Sequence, residues 1–253
     1  MSDPAAPPVP SDQVPEVLAH GGTDVVAAVV SMSARHPDGR DAEYLEWHGL
    51  DHLPEQLRLD GIRAGTRWVS TPACRAARAA SVGPYDEVDH VVAYLLAEPV
   101  ASTLAHFFAL GAALREAGRM PVRLPPVELA GWELGSMAAA EASLVGADVL
   151  PWRPMRGAYL LLEQGPPASV EPLLDVPGVA GAWTYDGSAQ LHERLAPVAG
   201  RRLTTLFLDG DPAAVGSALT PALSDRWASA EVVPHLAAPF ASVVPFAWDR
   251  HLP

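Results

Sequence analysis

A single cysteine, Cys74, stands in 253 residues. One thiol closes no internal disulfide and cannot build a cysteine-based zinc or iron–sulfur site. Lysine is absent: all 17 basic residues are arginine, set against 30 acidic ones for a formal net charge of −13. That balance argues against nucleic acid or an anionic membrane surface as partner, because both need clustered positive charge. No apolar run approaches the ~20 residues that a membrane-spanning helix needs. The opening "MSDPAAPPVPSDQVPEVLAHGG" lacks the basic start and apolar core of a secretory signal, so a cytoplasmic location is expected. Its proline density reads as an extended, disordered tail over residues 1–22. A phosphate loop, a dinucleotide glycine fingerprint and a Gly-x-Ser-x-Gly elbow are missing as well. What is present is a hydrophobic fraction of 49%, enough for a core. The length suits one large or two small domains.

The order of elements repeats. "TDVVAAVVSMSA" (23–34) is a β-branched run and reads as a buried strand. "DGRD" (38–41) is a turn with Asp41 as a plausible N-cap, and Leu45, Leu50, Leu53 and Leu57 follow at helical spacing. Pro54 removes a backbone donor, which predicts a helix that ends or kinks near His52 and adds a short turn to Leu59. "GIRAGTRWVS" (61–70) alternates as a strand, "DHVVAYLLAEP" (89–99) is another, and 101–119 is a long helix. From residue 155 the same order returns: strand, short helix, strand (178–188), strand (201–212), helix (213–229). A Pro-rich tail with a Trp follows each copy and reads as one further strand. The expected organisation is therefore a first unit at 23–141, a linker at 142–154 and a second, degenerate unit at 155–253. A βαββα(β) unit folds as an antiparallel sheet with both helices on one face, leaving the other face bare. Bare apolar faces of that size are rarely left in water. The fold class expected is α+β: two tandem ferredoxin-like units whose sheets pack face to face as an intrachain α+β barrel.

Residues 43–68, "EYLEWHGLDHLPEQLRLDGIRAGTRW", carry Trp47, then His52-Leu53-Pro54-Glu55, then Asp60-Gly61 before a strand. In that pattern they resemble the first helix and second strand of dimeric α+β barrel proteins of the EthD-like and antibiotic-biosynthesis-monooxygenase-like groups. The second unit has no such motif; Ser169 falls about where His52 would sit. The resemblance implies a cofactor-free oxygenase, isomerase or cyclase acting on aromatic or polyketide-like compounds. It also implies one specialised half and one structural half.

His48 and His52 share a helix face, as i and i+4 neighbours do, and such a pair can bind a divalent metal. The Glu that follows the first His of a metalloprotease helix is missing, and no metal is expected. The competing reading has one His in solvent and the other ending the helix. His52 at a helix end under a barrel mouth could exchange a proton at neutral pH, or could cap a backbone carbonyl. Arg67 could orient an acidic substrate, or pair with an acid at the rim. Catalytic roles are assigned to His52, Arg67 and Tyr185, and substrate contacts to Trp47, His48, Trp68 and Trp183. The alternative reading of these aromatic residues is ordinary core. The favoured function is a cofactor-free enzyme holding a hydrophobic small molecule inside the barrel. A non-catalytic binding or assembly module is the second hypothesis, and a two-unit haem protein the third. The partners expected are that small molecule and the chain's own second half as an intrachain pseudo-dimer.

Overall fold

A computed structural model describes residues 8–188 and 191–251. The first seven residues of the expected tail lie outside it. Over the rest of that tail, Ser11–Gln13 form a 3-10 turn and Pro15–His20 a short helix, α1, where extended chain was expected. The backbone NH of Ser11 donates to Leu144 O at 3.0 Å, tying this segment to the middle of the chain.

The first half then runs β1 (Val25–Ser33), α2 (Asp41–Trp47), α3 (Leu53–Gln56), β2 (Ile62–Val69), α4 (Pro72–Ala76), β3 (Ala80–Ser81), β4 (His90–Ala97), α5 (Val100–Glu116) and β5 (Pro126–Ala139). The second runs β6 (Gly157–Gln164), α6 (Glu171–Leu174), β7 (Val179–Gly187), β8 (Arg201–Leu208), α7 (Pro212–Trp227) and β9 (Val233–Ser242). The strands lie in the order β2-β4-β1-β5-β7-β8-β6-β9, and β9 returns to β2 through Trp68↔Ser242 and Val69↔Ala241. Every pairing between these strands is antiparallel, so eight strands close into a barrel, with two-residue β3 added outside on β9. Closure removes the free strand edges that would otherwise invite aggregation. In each half the strand order is second, third, first, fourth.

Side chains alternate across this wall, as strand geometry requires. One set (Ala28, Val30, Met32, Trp68, Leu95, Trp132, Leu160, Trp183, Tyr185, Phe207, Phe240) fills the lumen. The other set faces the helices. Under α5 it comprises Ala27, Val29, Ile62, Val92, Tyr94 and Leu96. Under α6 and α7 it comprises Tyr159, Leu161, Ala182, Leu206 and Leu208. The segment read as a linker stoppers one end of the barrel. Its 3-10 turn Ala147–Trp152 buries Leu150 and Pro151, and Ala147 O accepts from Trp183 Nε1 at 2.7 Å. Tyr85 and Val88, between β3 and β4, join the lumen cluster as well.

Asp211 caps α7, accepting from the Ala214 amide at 3.0 Å. Asp41 does not cap α2: Arg40 holds that position, and Asp41 is buried as the first helical residue. Its carboxylate instead receives the His36 amide and the His90 ring.

Candidate active site

Pro54 shapes the segment that carries the paired histidines. It has no NH to give to Leu50 O, and its ring crowds that carbonyl. The ladder widens in response: Leu53 NH reaches back five residues to His48 O, and His48–His52 form one π turn between α2 and α3. Single π turns of this kind are frequent at functional sites. Here the turn sets the His48 and His52 rings 5.5 Å apart and stacks His52 on Trp47 at 5.1 Å.

The arm formed by α2, the π turn and α3 lies on the helix-facing side of β2 and β4. Leu53 sits over Gly65, where any Cβ would collide with it, so glycine is what lets α3 approach the strand. Beneath the arm, Arg67 donates from Nε to His48 Nδ1 at 3.2 Å and from Nη2 to Tyr44 Oη at 2.9 Å. Its guanidinium also lies 4.7 Å from the centre of the Tyr44 ring, a cation–π contact. Because His48 Nδ1 accepts, its proton sits on Nε2, which faces Tyr94 Oη at 3.3 Å. Next to this group His90 Nε2 meets Asp41 Oδ1 at 2.8 Å.

Burial, reinforced by the positive charge of Arg67, holds the pKa of His48 well below the ordinary imidazole value. Burial does the same to His52, with Arg67 and Arg119 adding and Asp51 opposing. Burial also lowers His90, against the pull of Asp41. All three rings are therefore neutral at pH 7. Burial alone would raise Asp41, but hydrogen bonds from His90 and from the His36 amide keep its carboxyl below the usual range. Burial raises the Tyr94 hydroxyl, so it stays protonated.

Four buried polar atoms here have no partner: His52 Nδ1, Gln56 Oε1, Arg67 Nη1 and His90 Nδ1. Buried polar groups are nearly always satisfied in folded proteins, so a local concentration of orphans calls for an explanation. The arrangement offers a neutral imidazole that can take a proton, held beside a cation that stabilises negative charge.

The residues singled out from the sequence fall into two groups. Trp47, His48, His52 and Arg67 meet where the arm contacts β2, a crevice that is closed in this structure, with His48 2% and Arg67 8% exposed. Trp68, Trp183 and Tyr185 point into the lumen, on the opposite side of the wall. There Trp68 and Tyr185 line a space of about 20 Å³, bounded also by Thr66, Ala93, Pro151 and Phe207. That holds roughly one water, far from the ~300–1,000 Å³ of ligand pockets. Burial raises the Tyr185 hydroxyl, which remains protonated. Tyr44, His90, Tyr94 and Gln56 join the crevice although sequence reasoning assigned them nothing, and Asp41 joins it although it was read only as a helix cap. Separation along the chain hides His90 and Tyr94, for which the only signal was their place on the predicted strand 89–99, whereas Asp41, Tyr44 and Gln56 lay within the histidine-bearing segment itself.

Among the described residues no three His, Cys, Asp or Glu side chains converge as metal ligands. At His48 both ring nitrogens are engaged, and an added cation would face Arg67. The lumen is filled, and the helix-facing side of the second half is packed with Tyr159, Leu161, Leu206, Leu219 and Leu223, with no histidine in that cluster among the described residues. Among the described residues no helix is long and apolar enough to cross a membrane.

No protein-family profile and no curated protein sequence matches the chain. Solved structures do resemble it. A protein provisionally named a chlorite dismutase superposes with a TM-score of 0.50 at 12% identity, over 89% of this chain and 97% of its own. A protein from Fusobacterium nucleatum, provisionally named a monooxygenase, reaches a TM-score of 0.48 at 6% identity, over 86% and 92%. A mutant chlorite dismutase from Candidatus Nitrospira defluvii in complex with cyanide reaches 0.44 at 11%, over 87% and 92%. At such identities the likeness with the first establishes the fold alone: an antiparallel α+β barrel of ferredoxin-like type.

Proposed function

We propose that the chain is a cofactor-free enzyme of the monooxygenase, isomerase or cyclase type. Its substrate is a hydrophobic, aromatic or polyketide-like molecule with an acidic C–H or O–H, and His52 is the acid/base. The observation that carries this reading is the cluster of orphaned buried polar atoms around His52 and Arg67. The substrate belongs in the crevice between the α2–α3 arm and β2, not in the lumen as the sequence reading had it, because the lumen is filled by its own side chains. Neutral His52 takes the proton, and the negative charge left on the substrate oxygen develops near the Arg67 guanidinium. Trp47 offers an apolar surface beside it. Entry requires Leu53 to lift from Gly65, a movement of α3 hinged at the π turn. Tyr185, Trp68 and Trp183 take no part in this scheme; they pack the barrel.

The same reading treats the halves as tandem ferredoxin-like units, supported by their shared strand order and by a bulge after the first residue of both β2 and β7. One observation favours the second hypothesis, a non-catalytic binding module: the self-filled barrel. Activity decides. Wild-type protein is offered a panel of phenols and cyclic 1,3-dicarbonyls, with oxygen uptake and absorbance recorded. Turnover of a member, abolished in His52→Ala with a melting temperature within about 2 °C of wild type, is the expected result. Full activity in His52→Ala, or its unfolding, ends the catalytic assignment. Binding in the crevice without turnover of any member selects the module.

A further inference from the structure

Arg67 is buried, with 8% of its surface exposed. Other well-buried guanidinium groups in the chain meet a carboxylate: Arg226 meets Glu163 at 2.8 Å, Arg201 meets Glu128 at 2.7 Å and Arg78 meets Asp89 at 3.4 Å. Arg67 meets none. Its donors go to a neutral imidazole and a phenol, and Nη1 goes nowhere. Nor can the surrounding acids be redirected cheaply. On the arm above it, Asp41 holds His90, Glu43 holds Arg40, Asp51 holds Arg119, Glu55 holds both Arg119 and Arg58, and Glu46 is exposed to solvent. Below, Asp89 is shared by Arg75 and Arg78. An unpaired buried cation is among the costlier arrangements a fold can contain. In a chain with 30 acids to draw on, a missing counter-ion is a selective feature of this position.

We infer that the counter-ion of Arg67 is supplied by the ligand: the crevice takes an organic anion, a carboxylate, enolate or phenolate oxygen on an apolar body. This deepens the proposed function and rests on its assignment of the crevice. Nη1 receives the anionic oxygen. The Tyr44 ring and the His48 imidazole hold the guanidinium plane, and Trp47 with His52 forms the apolar wall the body lies against. Arg67 is thus the residue that sets specificity for charge. His48 is a positioning residue: it accepts from Nε and so fixes which edge of the guanidinium is left free.

The test uses the whole protein, labelled with nitrogen-15 at histidine and arginine, titrated with 2-naphthoate, with its neutral isostere 2-naphthamide, and with potassium bromide at matched ionic strength. The inference expects 2-naphthoate to shift the His48, His52 and Arg67 side-chain resonances and to bind at least 10-fold more tightly than the amide, with bromide moving none of them. In Arg67→Met the preference should shrink to within 2-fold. Unliganded Arg67→Met should melt at or above the wild-type temperature, because an uncompensated buried charge has gone; a purely structural arginine would give a large drop. Equal binding of naphthoate and naphthamide at these resonances overturns the anion inference and leaves the crevice assignment standing. A response to bromide equal to that of naphthoate replaces the organic anion by a simple ion and likewise overturns it. A strongly lowered melting temperature or an unfolded Arg67→Met overturns it too. No response of the crevice to either naphthalene overturns both the inference and the site on which it rests.

Discussion

The helix-facing sides of the two halves are built on one register and filled in opposite ways. In the first half Ile62 pairs with Leu96 and Ala64 with Leu95 across a bulge; in the second Val179 pairs with Leu208 and Gly181 with Phe207 across another. Counting from these bulges, Arg67 corresponds to Thr184, Tyr94 to Leu206 and Val92 to Thr204. Where the first half sets Arg67, His48, Tyr94 and a Tyr44 ring, the second sets the uncharged pair Thr184 and Thr204, with hydroxyls 3.4 Å apart, beside the apolar Ala182, Leu206 and Leu173. The elements above differ in step. The α2–π–α3 arm spans residues 41–56, whereas α6 is four residues long. The second half puts its buried area into hydrophobic stabilisation at roughly 25 cal/mol per Å². The first half forgoes part of that to keep polar groups in place without full satisfaction. The comparison sets the proposed site in the first half, against a second half packed largely with apolar side chains.

The contrast can be broken most forcefully in the apolar half. Leu206→Ala, at a fully buried position, should cost about 2–5 kcal/mol in urea unfolding. A loss well under 1 kcal/mol would show that this face is not the close-packed support described. The next contrast is pH dependence. His48, His52 and His90 all sit below their ordinary value in the native state. Below about pH 6.5 the unfolded chain therefore binds more protons than the native one. Stability should be complete above that pH and fall steadily as the pH drops beneath it. His235 and His251 in the second half are lowered by burial as well, so His48→Asn, which keeps an acceptor near the Nδ1 position, should flatten the slope between pH 6.5 and 5 without abolishing it. An unchanged slope would remove His48 from the account. A smaller effect is expected from Tyr94→Phe, which leaves His48 Nε2 without its 3.3 Å neighbour; about 1 kcal/mol should be lost, read from the denaturation midpoint. Smallest should be Pro54→Ala. Restoring the NH lets the π turn relax to α, with less than about 1 kcal/mol change in stability but a clear shift of the Trp47 indole resonance as His52 leaves its stack.

Much of the frame was legible. β-branched runs marked the strands, Pro54 marked the break after His52, and two bare sheet faces in one chain implied closure. The site was half legible. The crevice members His48, His52, Trp47 and Arg67 were named, yet grouped with Trp68, Trp183 and Tyr185. The alternation of β2 already separates Arg67 from its neighbour Trp68, because successive strand residues face opposite sides. Applied strictly, that rule would have kept the lumen aromatics out of the site. Asp41 was read as a helix cap because an Asp after a turn usually is one. Its true partner, His90, lies 49 residues away, and no local pattern encodes that distance. The stopper at 147–152 was hidden for a similar reason. Pro151 and Trp152 read as punctuation until the barrel end they fill is present.

Both seams of the barrel, β5 with β7 and β9 with β2, are sewn within one polypeptide. A substitution in a barrel of two identical subunits is imposed twice, once on each side of the axis. Here each side mutates alone, so Arg67 could lose its carboxylate without a second stranded charge appearing opposite. Thr184 and Leu206 in turn could become greasy or neutral at no expense to chemistry. Freedom from that mirror is what a covalent seam grants to an asymmetric protein.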